Sequence, residues 1–339
     1  MTMLGLRVDV DTLWGLTRGV RNLLDLFDEF GVKATFFVPM GPDRTGKTIK
    51  RILREKGFFQ RLVRLQFGMR SPHSAIHLPY SAFYGTLLPS PQMGESHPEI
   101  LHEIDRRGHE VGLHGYDHEH WRDDLLKMGE REIGDELEKA TDDYKKVFHR
   151  SPLSSAAPGW RCTEKSLKIQ ERYTFQYASD TRGNSPFFPI VQISHPLCGF
   201  PKSQMPNKFQ FQTSNFQMND QFPETNFQVL KTLQLPVTLP TLDELIPLGK
   251  ERNLLNPLNP LMNYHLFCAH AEVEGGPMIS PFRDFLKRVR DTGTNCILPL
   301  QKIAQDYLTR REELPKCRIQ WMRIPGRTLE VAYQMKNDQ

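Results

Sequence analysis

The chain has 339 residues, of which 38% are hydrophobic and 25% are charged. This composition is typical of a soluble globular protein, and no apolar run approaches the about 20 residues that a membrane-spanning helix needs. The length allows one large α/β domain or two small ones, and a formal net charge of +4 does not by itself indicate a class of partner.

The N-terminus and the cysteines describe the cellular setting that we expect. Residues 1–6 lack the basic and apolar regions of a signal peptide, which favours a cytoplasmic protein. The five cysteines are widely spaced and form no Cys-x-x-Cys pair. They predict neither a disulfide framework nor a structural zinc site, and we expect reduced, mostly buried thiols.

Apolar periodicity predicts a regular alternation of strands and helices. The expected strands are 4–10, 34–38, 110–113, 154–157, 175–179, 236–239 and 265–269. The expected helices are 20–30, 97–107, 128–149, 163–171, 281–292 and 300–311, followed by two short strands within 319–332. Such alternation favours a largely parallel sheet or barrel, in which functional groups lie at the C-terminal ends of the strands.

Two stretches interrupt the alternation: 41–96 and a Gln/Asn/Phe-rich excursion at 201–228. Between Arg44 and Arg70, nine basic residues accompany one acid and many apolar side chains. A basic helix with an apolar face is typical of segments on an anionic membrane surface; the alternative is an ordinary helix packed on the domain. No binding module for nucleic acid accompanies it. The predicted membrane contacts are Lys50, Arg51, Arg54, Phe58, Phe59, Arg61 and Arg64.

Carboxylates and imidazoles follow the ends of predicted strands. Asp9 and Asp11 are two residues apart, so on a strand both point to one face; the alternative is two caps at the start of a loop. His114 and His118 are four residues apart, so on a helical turn both could bind one divalent metal, although such pairs also occur by chance. Two histidines and a carboxylate would form a triad with open positions for water and substrate.

Three further candidates are ambiguous by themselves. His270 ends a strand-like run and is most simply a buried histidine, and Asp180 is an ordinary acid at a strand end. Arg161 closes a Pro-Gly-Trp-Arg turn at 158–161 and suits a bidentate contact with a carboxylate; the alternative is a plain surface turn.

Together these motifs resemble the polysaccharide deacetylase superfamily of metal-dependent amide hydrolases. The resemblance covers nearly the full length and rests on RVDVDT (7–12), GVKATFF (31–37), GPD (41–43), HEVGLHGYDHEHW (109–121), AAPGWR (156–161), SDTRG (179–183), LPVTLPTLDEL (235–245), HAEVEGG (270–276) and IPGR (324–327). It implies a distorted (β/α) barrel of about seven strands. It also implies one catalytic domain over 1–339, with 41–96 and 201–228 as insertions.

The resemblance, carried over by position, assigns a role to each candidate. Asp9 would be the general base, oriented by Arg161, and His270 the general acid, held in its tautomer by Asp180. The implied ligands of one divalent metal (Zn, Mn, Co, Ni or Fe) are Asp11, His114 and His118. The implied substrate contacts are Trp160, Glu272 and Glu274.

Within the superfamily the chain is most similar to deformylases of a formamido sugar linked to a polyprenyl phosphate. This implies release of formate and of a free amino sugar used in lipid A modification and resistance to cationic antimicrobial peptides. A lipid-linked anionic substrate favours the membrane-surface interpretation of 44–70 and a place at the inner face of the inner membrane. The alternatives are a cytoplasmic N-deacetylase of another amino sugar and a catalytically silent carbohydrate-binding relative.

Overall fold

Parallel strands curl into a distorted barrel in the computed structural model, which describes residues 3–47, 83–193, 227–250, 263–291 and 297–335. The strands are β1 (Met3–Asp9), β2 (Thr35–Val38), β3 (Glu110–Leu113), β4 (Ser154–Ser155), β5 (Tyr177–Ala178), β6 (Phe188–Gln192), β7 (Phe227–Val229), β8 (Leu233–Gln234), β9 (Tyr264–His270), β10 (Ile297–Leu298), β11 (Lys316–Cys317), β12 (Ile319–Met322) and β13 (Val331–Gln334). The α-helices are α1 (Val20–Phe30), α2 (Met93–Ser96), α3 (Pro98–Arg106), α4 (His118–Asp124), α5 (Glu130–Phe148), α6 (Glu164–Gln170), α7 (Leu242–Leu245), α8 (Ile279–Asp291) and α9 (Leu300–Thr309).

Seven parallel strands make the barrel, in the order β9, β1, β2, β3, β4, β5 and β8, and the short β10 also pairs with β1. The backbone amides of Thr238 and Leu239, after β8, donate to the carbonyl of Leu266 on β9 at 3.2 and 3.1 Å. These bonds connect the segment that follows β8 to β9, the strand at the other end of this order. The predicted fold, a distorted barrel of about seven strands, is therefore confirmed.

The register of the central strands aligns their C-terminal ends. β1 pairs with β9 along its whole length, and the last pair is Asp9 with His270. β2 pairs with β3 through Val38 and Leu113, so His114 emerges at the same end of the barrel. Because parallel strands end together, residues separated by more than 250 positions face one space.

Apolar side chains explain why the central strands are buried. Leu4, Leu6 and Val8 of β1 are inaccessible to solvent, as expected for a strand covered on both faces. Helix α8 packs over β9, where the ring of Phe267 lies 5.0 Å from that of Phe285, and α1 packs against α8 through Phe27 and Phe282. The helix predicted at 20–30 is present with those bounds, and Gly31 ends it with a φ of 64°, a conformation that favours glycine.

Some predicted elements differ from the structure. The strand expected at 236–239 is wrong: the ladder strand is β8, and Pro236 has no N–H to continue it. A second sheet, β11-β6-β7, was not predicted. The two strands expected in the tail are present as the antiparallel pair β12 and β13.

Parts of both interrupting stretches lie outside the described residues. The predicted membrane contacts Lys50, Arg51, Arg54, Phe58, Phe59, Arg61 and Arg64 all fall there, as does most of 201–228. Within the described ranges, no helix is both long and apolar enough to cross a membrane. The described cysteines, Cys162, Cys268 and Cys317, are buried free thiols, as predicted.

Candidate active site

A cavity of about 350 Å³ opens at the C-terminal ends of the barrel strands. Most of the residues predicted to act in catalysis, metal binding or substrate contact contribute to its wall. Those that do are Asp9, Asp11, His114, His118, Trp160, His270 and Glu272. Its volume lies in the range of small-molecule sites in proteins.

The three predicted metal ligands come together on one side of this cavity. The Nε2 atoms of His114 and His118 lie 3.4 and 3.3 Å from Oδ1 of Asp11. Burial alone would raise the pKa of Asp11, but the facing imidazoles of His118 and His114 hold it well below its usual range. Oδ1 of Asp11 is buried without a hydrogen-bond donor among the described residues. Two imidazoles and an ionised carboxylate therefore fit one divalent cation.

The two histidines do not share a helical turn, so that part of the prediction is wrong. His114 lies in the loop after β3, whereas His118 is the first residue of α4. Nδ1 of His114 is 2.9 Å from the carbonyl oxygen of Ala156. A carbonyl can only accept, so Nδ1 carries the proton and Nε2 is left as a free ligand atom. The rings converge, with centroids 5.1 Å apart.

Asp9 is oriented by Arg7 rather than by Arg161. Nε and Nη2 of Arg7 donate to the two carboxylate oxygens of Asp9 at 2.6 and 2.7 Å. Burial would raise the pKa of Asp9, but the charge of Arg7 keeps it low. Arg161 instead donates to the carbonyl of Glu330 at 3.2 Å, and its guanidinium stacks 4.8 Å from the ring centre of Trp321. The role that the resemblance implied for Arg161 is wrong, because its side chain is directed towards the C-terminal hairpin.

Arg7 was missed as a functional residue although it stands next to the motif. It lies two positions before Asp9 on β1, so both side chains point into the barrel. Its guanidinium also donates to the carbonyl and to Oγ of Ser179 on the far side of the barrel. The i, i+2 spacing of the two opposite charges was the available signal.

Asp243, and not Asp180, stands beside His270. Oδ1 of Asp243 lies 3.7 Å from Nδ1 of His270, and Nη2 of Arg327 donates to its other oxygen at 3.0 Å. Burial would lower the pKa of His270, but the carboxylates of Asp243, Asp11 and Asp9 raise it to about 9. Asp243 and Arg327 belong to the LPTLDEL and IPGR segments, and no local spacing links them to the imidazole.

Asp180 occupies a different place, behind the strand ends. It accepts hydrogen bonds from the backbone N–H of Ala157 at 2.8 Å and from Nε2 of Gln234 at 3.0 Å. It is 2% exposed, and the described residues that line the active-site cavity do not include it. The prediction that it holds His270 is therefore wrong.

The two glutamates predicted to contact substrate differ in position. Oε1 of Glu272 accepts from the backbone amides of Asp11 and Thr12 at 3.1 and 2.9 Å and so holds the loop after β1. Burial and the neighbouring Asp11 raise the pKa of Glu272 to about 8, and this residue does line the cavity. Glu274 is inaccessible and accepts from the backbone amide of His270 at 2.7 Å. Glu274 cannot contact a substrate in this conformation, so that prediction is wrong.

Trp160 forms part of the cavity wall in an unusual backbone conformation, with a φ of 52°. The guanidinium of Arg327 stacks 4.0 Å from its ring centre, and the ring meets that of His270 edge to face at 6.3 Å. Cation and aromatic face attract each other at these distances. Trp160 thus lies in contact distance of a cavity ligand, as its prediction requires.

Comparison with known proteins connects this geometry to a family. The polysaccharide deacetylase family model matches residues 82–178. The protein named "Probable 4-deoxy-4-formamido-L-arabinose-phosphoundecaprenol deformylase ArnD" of Shewanella sediminis (strain HAW-EB3) is 30% identical over 98% of this chain and 95% of its own length. The chain belongs to the polysaccharide deacetylase family. The protein of the same name from Wigglesworthia glossinidia brevipalpis is 27% identical over 95% of this chain and 99% of its own.

Two solved structures extend the comparison to the fold of this deacetylase-family member. A protein assigned as a polysaccharide deacetylase from Mycobacterium smegmatis is 17% identical, with a TM-score of 0.55 over 95% of both chains. The allantoinase Puue is 13% identical, with a TM-score of 0.53 over 91% of this chain and 90% of its own. At these identities the likeness concerns the fold alone. The family model and the relatives named as deformylases indicate that the chain is a hydrolase that acts on an amide bond.

Proposed function

We propose that this enzyme hydrolyses the formamide of 4-deoxy-4-formamido-L-arabinose carried on undecaprenyl phosphate. The products are formate and the free amino sugar, which serves lipid A modification and resistance to cationic antimicrobial peptides such as polymyxin. The observation that carries the proposal is the pairing of Asp9 with His270 beside the cluster of Asp11, His114 and His118. The substrate in this proposal is taken from the names of the relatives called ArnD deformylases.

Asp11, His114 and His118 would hold the divalent cation. Their donor atoms lie within 4.8 Å of one another, and the unpartnered oxygen of Asp11 supports this assignment. When bound, such a cation polarises an amide carbonyl and stabilises the charge that develops on its oxygen. The choice among Zn, Mn, Co, Ni and Fe is open to these ligands.

Asp9 and His270 divide the proton transfers. Asp9 accepts a proton from the attacking water as the water oxygen forms a bond to the formyl carbon. His270 then donates a proton to the sugar nitrogen as the C–N bond breaks, which leaves formate and an amine. Arg7 holds the base and Asp243 stands beside the acid, so each group is fixed before the substrate arrives.

The cavity rim supports an anionic, lipid-linked sugar as substrate. Arg122 and Arg327 line the cavity, where their guanidinium groups already pair with carboxylates. Each keeps further N–H donors that a phosphate can accept. Leu329, also in the lining, is 36% exposed, and Leu248, next to the lining residue Pro247, is 42% exposed. We place the enzyme at the inner face of the inner membrane, with the basic segment 44–70 against anionic lipid.

A substrate comparison tests the reaction. Formylated and acetylated lipid-linked amino sugars are offered side by side, and the released acid is identified. Formate release from the formylated sugar, with little acetate from the other, is expected. Predominant acetate release would instead favour an N-deacetylase of another amino sugar.

Variants test the metal site in the same assay. Asp11→Ala and His114→Ala should remove most of the formate release and the bound divalent metal, because each deletes a ligand. His102→Ala, which changes an exposed histidine on α3, is the matched control and should retain both. Turnover near that of the wild type in either ligand variant would refute the metal assignment.

Liposome pelleting tests the membrane contact. Vesicles containing anionic lipid should pellet the wild-type enzyme, and charge reversal at Lys50, Arg51 and Arg54 should abolish this. Each basic residue near such a surface contributes about 1 kcal/mol, so three reversals are enough to detect. Unchanged pelleting would mean that the segment is an ordinary packed helix.

A further inference from the structure

A single peptide unit separates a proposed metal ligand from a buried carboxylate. The carbonyl of Ala156 accepts from Nδ1 of His114 at 2.9 Å, and the N–H of the next residue, Ala157, donates to Oδ1 of Asp180 at 2.8 Å. This carbonyl and this N–H belong to the same rigid peptide plane. His114 and Asp180 are only 1% and 2% exposed, so water does not compete for either bond.

Asp180 is itself fixed at two points by Gln234. Nε2 of Gln234 donates to Oδ2 of Asp180 at 3.0 Å, and Oε1 of Gln234 accepts from the backbone amide of Asp180 at 3.1 Å. Gln234 is inaccessible to solvent. The carboxylate therefore presents Oδ1 to the peptide in one defined orientation.

The position of Asp180 excludes direct contact with substrate. It borders a separate cavity of about 20 Å³, which Leu113, Gly115, Ala156 and Ala157 also line. This cavity lies behind the turn that carries His114. Among its hydrogen bonds, the one from the N–H of Ala157 leads from Asp180 to the peptide that holds His114.

We propose that Asp180 positions His114 through the peptide plane between Ala156 and Ala157 and thereby strengthens metal binding. A carboxylate that accepts from the N–H polarises the peptide, and the carbonyl becomes a stronger acceptor. A stronger bond to Nδ1 fixes the tautomer and orientation of the ring and makes Nε2 a better ligand, as outer partners of metal-bound histidines do. This inference rests on the proposed function, because it requires the metal site.

The test measures zinc affinity of the purified full-length enzyme by competition with a chromophoric chelator at fixed pH. Loss of an outer hydrogen-bond partner typically weakens metal binding about 10- to 100-fold, and we expect a loss in this range for Asp180→Ala. Asp180→Asn, a milder change, should lose less. Its amide nitrogen meets the donating Nε2 of Gln234, which disturbs the orientation of the carbonyl group.

A double variant separates positioning from general stability. In Asp180→Asn with Gln234→Glu, the amide oxygen still accepts from Ala157, and the amide nitrogen donates to the new carboxylate at 234. Zinc affinity should return to within a few-fold of the wild type. If Asp180 contributed only to stability, the added Gln234→Glu substitution would not change the zinc affinity.

Glu110→Gln is the control for loss of a carboxylate elsewhere. Glu110, the first residue of β3, accepts from Oγ of Ser154 at 2.8 Å and from the hydroxyl of Tyr177 at 2.6 Å, at the opposite end of the strands from the metal ligands. This variant should lower the Tm but leave zinc affinity unchanged. The contrast with Asp180→Ala shows whether weakened binding merely follows from lower stability.

The outcomes distinguish this inference from the proposed function. If the wild type binds none of zinc, manganese, cobalt, nickel and iron, the metal site fails and the inference fails with it. If the wild type binds zinc and both Asp180 variants bind it equally well, only the inference is overturned. Weakened binding that the double variant does not restore also overturns it, because the hydrogen-bond geometry would then not be the cause.

Discussion

Arg7 offers the sharpest test of the catalytic geometry. Its guanidinium is inaccessible and makes two hydrogen bonds to the carboxylate of Asp9, at 2.6 and 2.7 Å. Arg7→Lys keeps the positive charge but cannot form this fork, so at least one bond is lost. A hydrogen bond to a charged group contributes about 1.5–3 kcal/mol, which corresponds to a roughly 10- to 150-fold loss of rate if Asp9 is misplaced in the transition state.

The stability effects are larger and have a defined pattern. Arg7→Met leaves Asp9 as a buried carboxylate without a cation, a change that costs about 3–5 kcal/mol of the free energy of unfolding. Adding Asp9→Asn should recover much of that loss, because the unpaired charge is gone. Urea denaturation of the two single variants and the double variant measures the coupling.

The same assays include the arginine that the resemblance suggested. Formate release should fall in Arg7→Lys and should be largely kept in Arg161→Lys, whose guanidinium faces Glu330 and Trp321. Full activity in Arg7→Lys would refute the reasoning. So would an Arg7→Met variant as stable as the wild type.

Three other predictions concern the acid, a glycine and a histidine. Asp243→Asn removes the charge beside His270, the proposed general acid, and should lower kcat by about 10- to 100-fold without loss of metal, as measured by formate release and metal content. Gly326→Ala should reduce activity and Tm, because φ is 85° and a Cβ would lie 2.2 Å from the carbonyl oxygen of Glu244; Gly134→Ala, in open space on α5, should instead raise stability by about 1 kcal/mol. Burial lowers the pKa of His109 to about 4, so between about pH 6.5 and pH 4 this histidine is protonated in the unfolded chain but not in the folded protein. The free energy of unfolding should therefore fall as the pH falls through this range, by up to about 1.4 kcal/mol per pH unit. His109→Gln should reduce this slope in urea titrations at pH 7 and pH 5.

Local periodicity predicted correctly those helices and strands whose bounds are set by their own sequence. The helix at 20–30 has an apolar stripe and a terminal glycine, and the strand at 110–113 is a short apolar run, so both were placed with correct bounds. The strand predicted at 236–239 was misplaced because the regular register with β5 covers Leu233 and Gln234. Leu235 still donates to Ala178, but Pro236 has no N–H with which to continue the ladder. The small sheet that includes β11 depends on contacts between segments more than 100 positions apart.

The site could be predicted as far as strand ends determine it. Asp11 follows β1 and His114 follows β3, on either side of β2. Because these parallel strands end at the same edge of the barrel, the convergence of the two residues follows from the topology. The partner of the base could have been obtained from the spacing, because Arg7 stands two positions before Asp9 on the same strand. The partner of the acid could not. Several aspartates stand near strand ends, and only the packing across the barrel determines that Asp243 reaches His270.

The buried pair of Arg7 and Asp9 links catalysis to folding. A chain that lost Asp9 alone would keep a guanidinium in the barrel without its counter-ion, and one that lost Arg7 alone would keep an uncompensated carboxylate. Either intermediate is unstable, so during evolution we expect both residues to be retained together or replaced together. An Arg-x-Asp to apolar-x-apolar exchange at 7 and 9 would therefore mark a relative that has given up the reaction while keeping the barrel.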